Sequence, residues 1–222
     1  MKKNVIISLV LNAIIFLLTV FSTFSALFDY RFMTSGSSIT FNPNFSIFMY
    51  FTTDSNIILG IISAVMMAFE IAALAKRRYE LPKSLYVLKL LATTGVTLTM
   101  ITTIVYLAPK DPLGYFNKFL DSNFFFHLII PILALISFVC FEKTNTLSKK
   151  ATLIAILPMI AYTIFYACNT LMHLENNSVA HGYDFYGFFD AGLLFAILLI
   201  PLMIVITYLI SVVLWFVNKK DL

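Results

Sequence analysis

The chain has 222 residues, of which 60% are hydrophobic and 12% charged, with a mean hydropathy of +0.93. Soluble domains carry about 25% charged residues, and charge this sparse cannot coat a water-facing globule. A soluble enzyme is therefore excluded and the solvent is largely lipid. The net charge of +4 reflects where the lysines fall, and no nucleic-acid partner is expected from it.

Six apolar runs are long enough to cross a hydrocarbon core, which takes about 20 residues. They lie at about 5–27, 52–74, 84–107, 124–141, 151–172 and 191–217. The runs are continuous, whereas barrel strands alternate every second residue. The expected fold is all-α: a polytopic membrane protein of six transmembrane helices in a single transmembrane domain. Lys2 and Lys3 precede a first run too long for a signal-peptide core of about 7–15 residues, so it reads as an anchor that stays.

The second run carries a polar stripe. At 100° per residue Thr52, Asn56, Gly60, Ser63 and Glu70 share one face, which must meet protein or a cavity because lipid cannot satisfy it. Gly60 and Ser63 suit a packing seam. Glu70 and Lys89 lie at similar depth in consecutive helices and are expected to pair, with Lys89 snorkelling toward water. The third run holds Thr93, Thr94, Thr97, Thr99, Thr102 and Thr103, read as packing residues that bond their own backbone.

The fourth run begins FFFHLIIP. Pro131 has no N–H, so the His127 carbonyl loses its helical partner and a kink is expected there. Pro158, Tyr162, Tyr166, Asn169 and His173 share a face of the fifth helix. Cys140 and Cys168 fall at opposite depths, given about 1.5 Å of rise per residue, and are not expected to form a disulfide.

Lys and Arg set the orientation. Lys2, Lys3, Lys76, Arg77, Arg78, Lys83, Lys89, Lys143, Lys149, Lys150, Lys219 and Lys220 fall on one side, against Arg31, Lys110 and Lys118 on the other. The positive-inside rule predicts both termini in the cytoplasm. The longer loops then face outward, and Asp54, His127, Asn169, His173, His181, Asp184 and Asp190 gather at the outer level. A candidate site belongs there. The abundance of Lys, Asn, Ile and Phe, without organelle-targeting signals, points to a bacterial plasma membrane.

The segment MYFTTDSNIILG, with Thr52 and Asn56, resembles the opening of a helix in the androgen-inducible family of six-helix membrane threonine hydrolases, and the YFT-x-x-SN pattern of their bacterial relatives. HLIIP, with His127 and Pro131, is similar to the family's histidine four residues before a proline. Tyr186, Phe188 and Asp190 resemble a Y-x-F-x-D ending in bacterial members. The likeness runs over roughly 50–190 and departs from the bacterial pattern at Asp54, where glutamine is common. It implies that Thr52 is a nucleophile and His127 its base, cleaving esters of fatty acids with hydroxy fatty acids without a cofactor.

The chemistry is coherent, because a threonine hydroxyl is a weak nucleophile that an adjacent base must activate. Asn56 is the candidate oxyanion donor and Tyr166 the next, with Asn169, His173 and Asp190 as substrate-binding candidates. The expected ligand is a membrane lipid or acyl-chain ester entering from the bilayer. Two other readings stay open. A zinc hydrolase would draw ligands from Asp54, His127, His173, His181 and Asp184, although no H-x-x-x-H or H-E-x-x-H pattern occurs. A lipid-binding module or transporter would be non-enzymatic, but the ionisable groups lie near the span ends rather than at the midplane.

Overall fold

A computed structural model describes residues 2–34, 40, 42–77, 81–175, 178–180, 182–189 and 192–219. Six helices are long and apolar enough to cross a membrane: α1 (Lys2–Leu27), α2 (Phe51–Ala75), α3 (Lys83–Leu107), α4 (Ser122–Phe141), α5 (Ala151–Met172) and α6 (Leu193–Val217). The expected all-α fold is borne out, with ends within a few residues of the apolar runs. The strand content among the described residues is one ribbon pairing Leu174 with Val179 and Glu175 with Ser178.

Residues that favour unusual backbone mark the boundaries. Asp121 (φ 52°) precedes α4 and Gly192 (φ 96°) precedes α6. Positive φ is costly for most L residues, least so for glycine and the short Asx side chains. Pro82 sits immediately before α3, where a missing N–H removes no helical bond.

The most buried helix is α3, which packs against α2, α4, α5 and α6. Its small residues permit this central position. A Cβ added to Gly95 would come within 3.2 Å of the Ser55 Cβ on α2. Gly60 of α2 meets α1 in the same way, with the Thr19 methyl 2.8 Å from an added Cβ. Without a hydrophobic drive between helices in lipid, close approach at small residues is what holds neighbours together. The least buried helix, α6, packs on α3 and α5 and exposes Leu194, Leu198, Leu202, Leu209 and Phe216.

Among the described residues, three helical segments widen into π turns: Thr103–Leu107 in α3, and Phe125–Ile129 and Ser137–Phe141 in α4. The second follows from Pro131. With no N–H at 131, the bonding register shifts and Ile130 N–H bonds the Phe125 carbonyl, five residues back. The kink expected at His127 thus takes the form of a wide turn. In α5, the helical bonding is interrupted at Ile156, between Ala151–Ala155 and Leu157–Met172, next to Pro158.

The chain's beginning and end lie at the same end of the bundle. Asn218, after α6, donates to the carbonyls of Phe138 (2.6 Å) and Glu142 (3.1 Å). Glu142 in turn accepts from Ser8 of α1. The expected Glu70–Lys89 pair is corrected here: Lys89 is fully buried and lies 3.5 Å from Glu142 instead. Asn12 and Ser63 also accept from its ammonium, so it is enclosed by α1, α2 and α4 and does not snorkel. Cys140 and Cys168 are both free thiols.

Candidate functional site

The site builds from the first turn of α2. Tyr50 precedes the helix without a side-chain cap, and the first N–H groups of a helix have no intrahelical partner. The deficit is met from the loop before α6, where the Tyr186 hydroxyl accepts from Phe51 N–H at 2.9 Å. Tyr162 of α5 donates to the Met49 carbonyl at 2.7 Å. Two aromatic hydroxyls thus hold the turn that presents Thr52.

His127 comes from the wide turn of α4. Its Nδ1 lies 2.8 Å from Thr103 Oγ1, and Thr103 opens the wide turn of α3. The two wide turns therefore meet at one hydrogen bond, which orients the imidazole. Such turns recur at functional sites. Asn56 joins the two helices, its Nδ2 donating to the Thr52 carbonyl (2.8 Å) and to the Phe126 carbonyl (3.3 Å).

Thr52 and His127 line the same cavity, of about 490 Å³, at the end of the bundle opposite the termini. They are 8% and 6% exposed, so what little surface they keep faces this space. Asp29, Arg31, Lys118, Asp121 and Tyr186 are among its other walls. Thr52 Oγ1 makes no hydrogen bond to His127. A second, nearly apolar space of about 40 Å³ lies between Phe51, Leu98, Met159, Phe188 and Met203. It has room for about one water by volume. Thr52, Leu107 and Tyr186 line both spaces, which places Thr52 where a polar chamber meets an apolar one.

The rim charges are internally paired. Arg31 bridges Asp29 at 3.1 Å and Lys118 bridges Asp111 at 3.0 Å. The Asp121 carboxyl accepts from Phe32 N–H (2.6 Å) and Met33 N–H (2.7 Å), tying the loop after α1 to the start of α4. Sequence reasoning missed these walls because nothing in their spacing sets them apart from ordinary loop residues.

The other candidates have different duties. Both N–H bonds of Asn56 go to backbone carbonyls, leaving no donor for an oxyanion. Its place as donor is corrected to that of a strut between the Thr52 and His127 helices. Tyr166 donates to Asp184, whose carboxyl also accepts from Phe188 N–H (3.0 Å) and Phe189 N–H (2.7 Å). Asn169 Nδ2 donates to the Tyr183 carbonyl at 3.0 Å. His173 stacks on the Tyr183 ring, centroids 3.4 Å apart, with Nδ1 2.7 Å from the Asn169 carbonyl. Tyr166, Asn169 and His173 thus anchor the loop that delivers Tyr186, and none of them lines the Thr52 cavity. His181 and Asp190 lie outside the described residues.

Tyr186 was not among the expected site residues except as part of a motif. Burial among Tyr162, Phe185 and Phe188 pushes its phenol up to about 12, which keeps it a neutral O–H donor across the physiological range. The cluster of the zinc alternative does not assemble among the described residues, where no three His, Cys, Asp or Glu side chains come together to hold an ion. Asp184 and His173 are drawn into the loop instead, and His127 is bonded to Thr103.

No protein-family model, curated protein or solved structure matches the chain.

Proposed function

We propose that the protein is a membrane-embedded hydrolase of a lipid-like ester, with Thr52 as nucleophile and His127 as base near the outer face. The observation that carries this reading is the shared cavity. A threonine at the first turn of one helix and a histidine from another line one partly open cavity, and Asn56 braces the backbones that present them.

The chemistry follows the usual division of roles. Nδ1–H of His127 donates to Thr103 Oγ1, leaving Nε2 to take the Thr52 proton as Oγ1 attacks the ester carbonyl. The protonated imidazole then passes that proton to the departing alkoxide. Water, activated by the same nitrogen, cleaves the acyl-threonine. Tyr186, neutral and lining both spaces beside Thr52, supplies an O–H to the developing oxyanion. The resemblance to the androgen-inducible hydrolases supports the same two roles. The apolar space behind Thr52 suits the first methylenes of an acyl chain entering between α3, α5 and α6.

Labelling with a fluorophosphonate probe tests the proposal in detergent-purified protein. The adduct is expected on Thr52 and is lost in folded Thr52→Ala and His127→Ala variants. Equal labelling of Thr52→Ala would end the nucleophile assignment.

A further inference from the structure

At the terminal end of the bundle, far from the Thr52 cavity, lies a second polar centre. Glu70 of α2, Lys89 of α3 and Glu142 after α4 are each no more than 3% exposed. Around them stand Ser8 and Asn12 of α1, Ser63 of α2 and Ser137 of α4, all equally enclosed. Two carboxyls thus stand in one enclosed group with a single ammonium, which is bridged to Glu142, and no other cation among the described residues is bonded to the group.

Both carboxylates ionised would leave one uncompensated negative charge inside the bundle, which is costly in a span. The oxygen atoms point the same way. Ser8 Oγ stands 2.5 Å from Glu70 Oε1 and 3.1 Å from Glu142 Oε1, yet a hydroxyl has one hydrogen to give. A hydrogen on one carboxyl, donated to Ser8, lets both contacts be full two-centre hydrogen bonds. Independently, Glu142 Oε2 is fully buried with no partner, so this carboxyl has an unused hydrogen-bonding position inside the bundle. Lys89 already fills the centre, leaving no oxygen cage of the six to eight ligands that a hard divalent cation takes.

We propose that Glu70, Ser8 and Glu142 form an intramembrane proton-binding site that holds one proton beside Lys89. The proton moves between the carboxyls by a balanced exchange. Glu70 gives its hydrogen to Ser8 Oγ as the Ser8 hydrogen passes to Glu142 Oε1, which leaves Glu70 charged and Glu142 neutral. The charged and titratable groups facing the pair are Lys89 from α3 and each carboxyl facing the other, while α1 contributes the neutral Ser8 and Asn12. The site joins α1, α2, α3 and α4, so proton release leaves those four helices around an unbalanced charge.

Infrared difference spectroscopy of the full chain in nanodiscs tests this directly. Wild type at neutral pH is expected to show the carbonyl stretch of one protonated carboxyl, shifted in heavy water. Glu70→Gln and Glu142→Gln each leave one carboxylate opposite Lys89, so each loses the band. Lys89→Met leaves two carboxyls and no ammonium, and gains a second band. Asp54→Asn, a carboxyl elsewhere, keeps the band. Wild type alone is decisive if a variant does not fold, because absence of the band overturns the site. A band that survives both glutamine variants, or a stabilisation by sodium without any band, overturns it equally.

Discussion

His127 depends on one neighbour for its orientation, and that neighbour is Thr103. Replacing Thr103 with valine keeps the shape and removes the hydroxyl. Loss of a hydrogen bond of about 1–1.5 kcal/mol corresponds to roughly tenfold in rate. Thr103→Val is thus expected to slow probe labelling of Thr52 about tenfold while the melting temperature falls by only a few degrees, as labelling time courses and thermal unfolding read them. Unchanged labelling would detach Thr103 from the site. Gly60 tests packing rather than chemistry. Its added Cβ would meet the Thr19 methyl at 2.8 Å and the Thr19 Cβ at 3.0 Å. Thr19 is buried and β-branched, so it has little room to turn. Gly60→Ala should destabilise by about 1–3 kcal/mol, the range for overpacking, measured by thermal unfolding in detergent.

Two elements hold the site, the wide turn of α4 and the loop before α6. Pro131→Ala restores an N–H that can bond the His127 carbonyl, and draws the turn toward ordinary helical spacing. The imidazole then rotates off Thr103, so labelling at Thr52 should fall while thermal stability holds or rises. Full labelling would mean that the wide turn does not position the ring. The loop hangs on Asp184, which gathers Tyr166, Phe188 N–H and Phe189 N–H. Asp184→Ala removes all three bonds, each of about 1 kcal/mol. Limited proteolysis should then cut within 182–189, and labelling of Thr52 should weaken as Tyr186 leaves the start of α2. Protease resistance equal to wild type would show that the stacked aromatic rings hold the loop without it.

The whole molecule separates two polar centres along one bundle, a Thr52 cavity at one end and a Glu70–Lys89–Glu142 group at the other. The arrangement of basic residues predicts the cavity on the outside. In a Cys140→Ala, Cys168→Ala background, Lys118→Cys is expected to react with an impermeant maleimide in intact cells. Lys149→Cys should react only after permeabilisation. The reverse pattern would invert the topology and turn the cavity to the cytoplasm.

The number of helices, their limits and the coarse depth of Thr52 and His127 were legible from the chain, because apolar run length and the missing N–H of a proline act locally. The placement of polar candidates within a span was legible only as far as the helix face. Thr103 looks like five other threonines on α3, and nothing in spacing marks the one that meets His127. Asn56 lies on the right stripe, yet its amide is consumed by two carbonyls, one of them on another helix. Lys89 matched Glu70 in depth, but rotation of the packed helices turned it toward Glu142.

Composition and periodicity thus determined the all-helical membrane fold class and the limits of the six apolar helices, since each follows from transfer of a segment into lipid. Which polar groups touch was decided by the tertiary structure alone. Partners on separate helices are chosen by helix rotation, by close approach at Gly60 and Gly95, and by the wide turns around Thr103 and His127, and those are properties of the packed bundle rather than of any one segment.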